Sequence, residues 1–155
     1  MIVVDTNVLT ALVLTSTLTP LAQAVERADR VWIVPSLWRF EFQNILATSV
    51  RAGQLTLADT IKLWQCTATL MADNETDPSP ASVLELAAHH SITAYDATFA
   101  ALALELGVPC VTEDREMQRK LPAVAVSMKH FVESRPGLVC ERPAAYRTRR
   151  RSRKT

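Results

Sequence analysis

Glycine is scarce in this chain, which has three glycines among 155 residues. Neither GxGxxG nor GxxxxGK followed by Ser or Thr occurs, so the loops that hold dinucleotides and nucleotide phosphates have no counterpart here. The three cysteines, Cys66, Cys110 and Cys140, lie far apart and form no CxxC pair. This scattered set argues against a disulfide framework and against a structural zinc site, and it favours reduced thiols.

Long apolar segments are missing as well. Residues 8–25 carry no charge, but Thr, Ser, Pro and Gln residues interrupt the stretch, so we predict no transmembrane segment. The N-terminus has no basic segment and carries an acid at Asp5, which does not fit a secretory signal. We therefore expect a cytoplasmic protein.

Charge is unevenly distributed along the chain. Residues 1–134 contain 9 Lys+Arg and 15 Asp+Glu, a net charge of −6, whereas residues 135–155 contain 8 and 1, a net charge of +7. The last segment also lacks apolar periodicity. We predict one folded domain over residues 1–134 and a basic, disordered extension over residues 135–155.

Short apolar runs alternate with longer helical patterns. Runs rich in β-branched residues predict buried strands at residues 1–4, 31–34, 109–112 and 124–127, and a weaker signal places a fifth strand at residues 70–75. Helical patterns cover residues 36–51, 57–70, 80–90 and 95–106, the first two as an antiparallel hairpin across Gly53. This alternation predicts an α/β fold with a parallel sheet covered on both sides.

Four acids lie where strands end or helices begin. Asp5 closes the first strand, and Asp114 follows the strand at residues 109–112. Asp96 lies at the start of one helix, and Glu41 lies early in the helix that follows the second strand. Because ligands of such sheets bind beyond the carboxyl ends of the strands, we expect these acids to converge there.

Helix capping is the competing explanation. Asp5 or Asn7 would cap the next helix, Thr93 and Asp96 have the spacing of a capping box, and Asp114 would cap the short helix REMQRKL. For each acid taken singly, capping explains the position as well as catalysis does.

Glu41 is harder to explain as a surface acid. It shares a helix face with Leu37 and Ile45, so it is predicted to face the apolar interior. Buried acids are rare unless they are paired. Asn44, three residues further along the helix, is the predicted polar companion.

Carboxylates that share one crevice repel each other, and a bound divalent cation removes that cost. The all-oxygen ligand set favours Mg²⁺ or Mn²⁺ over zinc. His89 and His90 end a helix and have no second ligand pair at metal spacing, so we predict that they are surface residues.

Four motifs in order carry a family resemblance: DTN at residues 5–7, Glu41 on its helix, YDATFAALA at residues 95–103 and TEDRE at residues 112–116. Together they resemble the PIN-domain nucleases. Chain size and element order look most like the VapC family, the toxins of type II toxin-antitoxin pairs. The resemblance covers about residues 1–130 and implies a three-layer α/β/α sandwich.

The resemblance also implies an activity and a site. The implied metal ligands and catalytic residues are Asp5, Glu41, Asp96 and Asp114, supported by Asn7 and Thr112. The implied activity is that of an endoribonuclease in which Mg²⁺ or Mn²⁺ activates water for attack on a phosphodiester. The implied partners are a second copy of the chain and an antitoxin whose C-terminal segment lies across the catalytic groove.

Several alternatives stay open. The basic extension either grips RNA phosphates or is a solvated tail without a specific role. Its RNA-contacting candidates are Arg149, Arg150, Arg151, Arg153 and Lys154. Glu113 is expected to turn away from the site, since side chains alternate along an extended chain.

Other functions compete with the toxin. A PIN nuclease outside toxin-antitoxin systems, or a catalytically silent interaction module of the same fold, fits the same motifs. A haloacid dehalogenase-like phosphatase would need a second Asp where Asn7 stands.

Overall fold

The computed structural model describes residues 1–135. Cys140 and the five predicted RNA-contacting residues of the extension therefore lie outside the described residues. The division into a domain at residues 1–134 and a basic extension at residues 135–155 stays a prediction.

A parallel sheet of four short strands forms the centre of the fold. The strands are β1 (Ile2–Val4), β2 (Trp32–Ile33), β3 (Cys110–Val111) and β4 (Ala125–Val126), in the order β2-β1-β3-β4. All three pairings are parallel, and Val3 pairs with both Ile33 and Cys110. Each strand lies inside the run that the sequence predicted.

Eight helices surround the sheet in residues 1–135. They are α1 (Thr6–Val13), α2 (Thr19–Ala28), α3 (Trp38–Arg51), α4 (Leu57–Met71), α5 (Pro80–His90), α6 (Ala94–Leu106), α7 (Arg115–Lys120) and α8 (Met128–Glu133). Helix α6 ends at Gly107, whose φ of 65° suits a residue without a Cβ. Within the same residues, no helix is long and apolar enough to cross a membrane.

No helical pattern was assigned to the segments that form α1, α2 and α8, although capping by Asp5 or Asn7 presumed a helix after β1. Helix α1 carries no charge and buries Thr6, Val8, Leu9 and Ala11, so it lacks the alternation of apolar and charged faces that marks a surface helix. The predicted α3–α4 hairpin is present, with Gly53 at a φ of 69° in the turn.

The predicted fifth strand is wrong. Residues 70 and 71 complete α4, and Ala72–Asn74 form a short 3₁₀ helix. Only Glu75 meets the sheet, through a single parallel bridge to Val34. Met71 is buried in the core, so its packing extends the helix through the residues that a strand would need.

Alternation along β1 divides the core into two layers. Ile2 and Val4 pack with helices α1, α2, α3 and α8 on one side of the sheet. Val3 packs with Phe99 and its neighbours on α6 on the other side. Since side chains of a strand point alternately to opposite faces, both faces are covered and three layers result.

Candidate active site

Chain direction brings four helix N-termini to one edge of the sheet. Helices α1, α3 and α7 follow β1, β2 and β3 and so begin at the carboxyl edge of the strands. Helix α6 ends just before β3, so it begins at that edge too. Asp5, Glu41, Asp96 and Asp114 all belong to these helix starts, which places the four acids at the edge predicted for them.

Asp5 is buried at the end of β1, with 8% of its surface exposed. Its Oδ2 accepts hydrogen bonds from Thr112 Oγ1 at 2.6 Å and from Asn7 Nδ2 at 2.5 Å. Burial raises the pKa of Asp5, the hydrogen bonds partly oppose the rise, and the charge of Asp96 adds to it. Asp5 precedes α1, and its side chain makes no direct capping hydrogen bond, although the nearby backbone N–H groups of Asn7 and Thr6 act to lower its pKa.

Asn7 and Thr112, which the family resemblance implies as supports of the site, both hydrogen-bond to Asp5. Asn7 Nδ2 also donates to Thr112 Oγ1 at 3.2 Å, and Asn7 Oδ1 accepts from the backbone N–H of Glu113 at 3.1 Å. The fully buried Thr112 hydroxyl accepts from the Asp114 N–H at 2.9 Å. Thr112 therefore ties the end of β1 to the start of α7.

Glu41 is half-buried on α3, and its partner is Thr6 rather than the predicted Asn44. Thr6 Oγ1 donates to Glu41 Oε2 at 2.5 Å. Asn44 is exposed. Burial chiefly raises the pKa of Glu41; the Thr6 bond lowers it, and the charges of Asp5 and Asp96 raise it further.

Thr6 is the functional candidate that the sequence analysis missed. It is the middle residue of the DTN motif and is 3% exposed. A buried threonine directly after a site acid was the available signal, but only the packing of α1 beside α3 identifies its partner.

Asp96 and Asp114 stand at caps, as the competing explanation predicted. Thr93 Oγ1 accepts from the Asp96 N–H at 3.1 Å and donates to Asp96 Oδ2 at 2.7 Å. Asp114 Oδ1 accepts from the Met117 N–H at 2.8 Å. Capping does not remove Asp96 from the site, because its charge acts on both Asp5 and Glu41.

The carboxylate oxygens of the site are the ligands that a hard divalent cation prefers. In the present side-chain positions, however, they do not surround one position that an ion could occupy. Within residues 1–135, no group of three or more His, Cys, Asp or Glu side chains is arranged to hold a metal ion. Asp5, Glu41 and Asp96 each accept from a threonine hydroxyl instead. The three repelling carboxylates nevertheless form an all-oxygen set, with the excess of negative charge that a cation relieves.

Three further sequence-based expectations concern residues outside this cluster. Glu113 turns away, because its Oε1 accepts from the Met128 N–H at 2.8 Å at the start of α8. His89 and His90 are exposed at the end of α5, and His89 Nδ1 lies 2.8 Å from the Glu85 carbonyl oxygen. All three therefore stand where the sequence predicted.

A groove of about 840 Å³ begins beside Asn7 and runs between α1, α3 and α4. Its lining is mainly apolar and includes Leu14, Leu18, Ile45 and Leu63. Thr10 also lines it, and its buried Oγ1 has no hydrogen-bond partner among the described residues. The site therefore opens onto a surface suited to an apolar ligand with a few polar groups.

A family model described as the PIN domain matches residues 2–121, which include all four acids. The chain belongs to the PIN domain family. PIN domains are generally metal-dependent nucleases and typically use divalent ions. The PIN resemblance and the fold predicted from the sequence are thereby confirmed.

A solved structure has the same fold. The crystal structure of PAE2754 from Pyrobaculum aerophilum is similar with a TM-score of 0.67 and 22% sequence identity, over 85% of this chain and 93% of that one. At this identity the likeness concerns the fold alone. No curated protein matches the chain with significance.

Proposed function

We propose that this PIN domain is a Mg²⁺- or Mn²⁺-dependent endoribonuclease. One observation carries the proposal: Asp5, Glu41 and Asp96, from distant parts of the chain, lie close enough that charge on one raises the pKa of another. Carboxylates at such short range repel each other and lower the stability of the folded protein, unless they bind a cation or a proton. In a nuclease fold, a divalent cation is the functional solution.

Each residue of the cluster has a role in this proposal. Asp5, Glu41 and Asp96 would hold the ion. Asp114 is linked to them through Thr112, whose hydroxyl accepts from the Asp114 N–H and donates to Asp5. When bound, a divalent ion supplies a water of lowered pKa and stabilises negative charge on the phosphate. Thr112 holds Asp5, and Thr6 orients Glu41.

The helix N-termini at this edge favour an anionic substrate. The helix dipole places partial positive charge at the starts of α1, α3 and α6. This charge offsets part of the repulsion between the acids and an approaching phosphodiester. The basic extension would add long-range attraction to RNA.

The cleavage assay is direct. The purified chain with Mg²⁺ or Mn²⁺ should cut cellular RNA, and Asp5→Asn or Asp96→Asn should abolish cutting while the circular dichroism spectrum is unchanged. Glu113→Gln is the matched control, because Glu113 faces α8 and should leave the rate unchanged. If the metal-loaded chain cuts no cellular RNA, the silent interaction module is the better explanation.

We further propose that the chain is the toxin of a type II pair, as in the VapC family. The apolar groove beside Asn7 fits an apolar segment of an antitoxin, and a basic residue of that segment would be attracted to the acids. Exposed apolar residues on α5 and α6, among them Leu84 and Leu104, favour burial between two copies of the chain.

The toxin proposal has its own test. Expression of the chain alone should stop growth, and co-expression of a small DNA-binding protein encoded beside it should restore growth. A peptide from that protein's C-terminal segment should inhibit cleavage in vitro. Cleavage without growth arrest would instead favour a PIN nuclease outside toxin-antitoxin systems.

A further inference from the structure

The charge of this protein is divided between its domain and its C-terminal extension. Residues 1–134 carry a net charge of −6, and residues 135–155 carry +7. Opposite charges attract each other over about 10 Å at moderate salt. The extension is therefore attracted to acidic surfaces of its own chain.

The groove beside Asn7 combines an apolar lining with negative charge. Among the described residues that line it, Asp59 is the charged one and none is Lys or Arg. Its Asn7 end adjoins the acids, because Asn7 Nδ2 donates to Asp5 Oδ2. Thr10 Oγ1 is buried beside the groove without a hydrogen-bond partner in residues 1–135. A segment with apolar, polar and basic groups suits this surface.

The extension carries these groups in a matching order. Residues 138–146 include Leu, Val, Pro, Ala and Tyr, and the basic run RRRSRK follows at residues 149–154. A segment that passes Leu18 and then Asn7 would lay its apolar part on the apolar lining. Its basic run would then meet the acids.

The extension begins close enough to reach the groove. Arg135 donates to Asp29 Oδ2 at 3.1 Å, which fixes the start of the extension at the end of α2. Leu18 is the N-cap of α2, so at 1.5 Å per residue the groove begins roughly 15 Å away, and α1 adds about 12 Å to Asn7. The twenty residues 136–155 span up to about 66 Å when extended.

We propose that residues 136–155 dock in the groove of their own chain, with the basic run at residues 149–154 against the acids. The docking stands on the surface alone, whereas its effect, competition with a divalent ion for the carboxylates, rests on the proposed function. Exposed ion pairs contribute little each, so the docked and free forms exchange and the docking adds little to domain stability. RNA phosphates attract the same basic residues and would release the extension from the acids.

Paramagnetic relaxation in the full chain measures the docking. A nitroxide is attached at Ser152→Cys in a chain that also carries Cys66→Ser and Cys140→Ser, while Cys110 is fully buried and stays unlabelled. We expect broadened amide signals along α1 and unchanged signals in the first turn of α5, which lies at the opposite edge of the sheet near the end of α6. Salt at about 1 M should reduce the broadening, because it shortens the range of electrostatic attraction to about 3 Å.

Two variants separate charge from apolar contact. The triple variant Arg149→Gln, Arg150→Gln and Arg151→Gln should remove the broadening, and Leu18→Ser should reduce it without a change of charge. Serine suits the N-cap position that Leu18 occupies, so this variant should fold. Leu57→Ser is the matched control, since Leu57 is 64% exposed on α4 and does not line this groove.

The affinity for Mn²⁺, measured by titration calorimetry, is the second readout. An extension docked in about half to three-quarters of the molecules weakens metal binding about 2- to 4-fold. The triple variant should recover this factor, Leu18→Ser should recover part of it, and Leu57→Ser should recover none.

Absent or uniform broadening would overturn the inference, as would an equal effect of Leu18→Ser and Leu57→Ser. Broadening of an isotope-labelled chain by a separate nitroxide-labelled chain would also overturn it, because the extension would then dock on another copy. Confined broadening in a chain that cuts no RNA would refute the nuclease and keep the docking. Cleavage that depends on Asp5, without broadening along α1, would refute the docking and keep the nuclease.

Discussion

Asp5→Asn should stabilise the protein in the absence of divalent ions. The pKa of Asp5 is raised from its ordinary value of 3.8, chiefly by burial, so the folded protein holds the ionised form at a cost. The amide oxygen introduced by Asp5→Asn can still accept from Asn7 and Thr112, while the buried charge is gone. A gain in stability with a loss of activity is typical of a residue retained for function.

The sign and size follow from proton linkage. Because the folded protein binds the Asp5 proton more tightly than the unfolded chain, its stability falls as the pH rises from the unfolded pKa through the folded pKa. Single substitutions that relieve an unfavourable group commonly stabilise a protein by roughly 0.5–2 kcal/mol. We expect a gain within that range for Asp5→Asn at a pH above the folded pKa.

Divalent ions should reverse the order of stability, so that the wild-type protein becomes more stable than the Asp5→Asn protein. An ion at 100 times its Kd stabilises the wild-type protein by about 2.7 kcal/mol, and Asp5→Asn should lose most of this gain. Thermal unfolding across pH, in a chelator and with Mg²⁺ or Mn²⁺, measures both effects.

Asp29→Asn is the control for the Asp5 experiment, because its side chain is only 8% exposed and its pKa is lowered. Burial raises that pKa, but bonds from the Met1 amino group, the Val31 N–H and Arg135 outweigh it, so Asp29→Asn should destabilise. The reasoning would be refuted if the Asp5→Asn protein were less stable than the wild type in chelator. It would also be refuted if the ion stabilised both proteins equally.

Three further predictions concern Thr6, Asp114 and the C-terminal extension. Thr6→Val removes the hydrogen bond that lowers the pKa of Glu41, so the acidic limb of the kcat/KM profile should move to higher pH; an unmoved limb would contradict a role for Thr6. Asp114→Ala should lose about 1 kcal/mol in thermal unfolding as a helix cap, and Asp114→Asn should restore stability; cleavage restored along with stability would restrict Asp114 to capping. Truncation after Arg135 should weaken RNA binding and make the binding constant less dependent on salt concentration. Tm should not change, because Arg135 keeps its contacts to Asp29 and to the Phe131 ring. An unchanged salt dependence would reject a role for the extension.

Strands and long helices were predictable because their signals are local. The runs that became β1 to β4 are apolar and β-branched, and α5 begins and ends where its pattern does. Helix α1 and the segment at residues 70–75 were not predictable, since burial hides the periodicity of one and tertiary packing extends α4 into the other.

For the site, the sequence by itself determined which acids reach one edge, because parallel strands and the helices that follow them have fixed directions. The family resemblance implied Asn7 and Thr112 as supports of the site, and both side chains hydrogen-bond to Asp5. Only the tertiary structure decided what each carboxylate does there. Asp5 makes no cap, and Glu41 pairs with Thr6 from another helix.

A sequence pattern records the residues along one element, whereas a hydrogen bond between α1 and α3 depends on how separate elements pack.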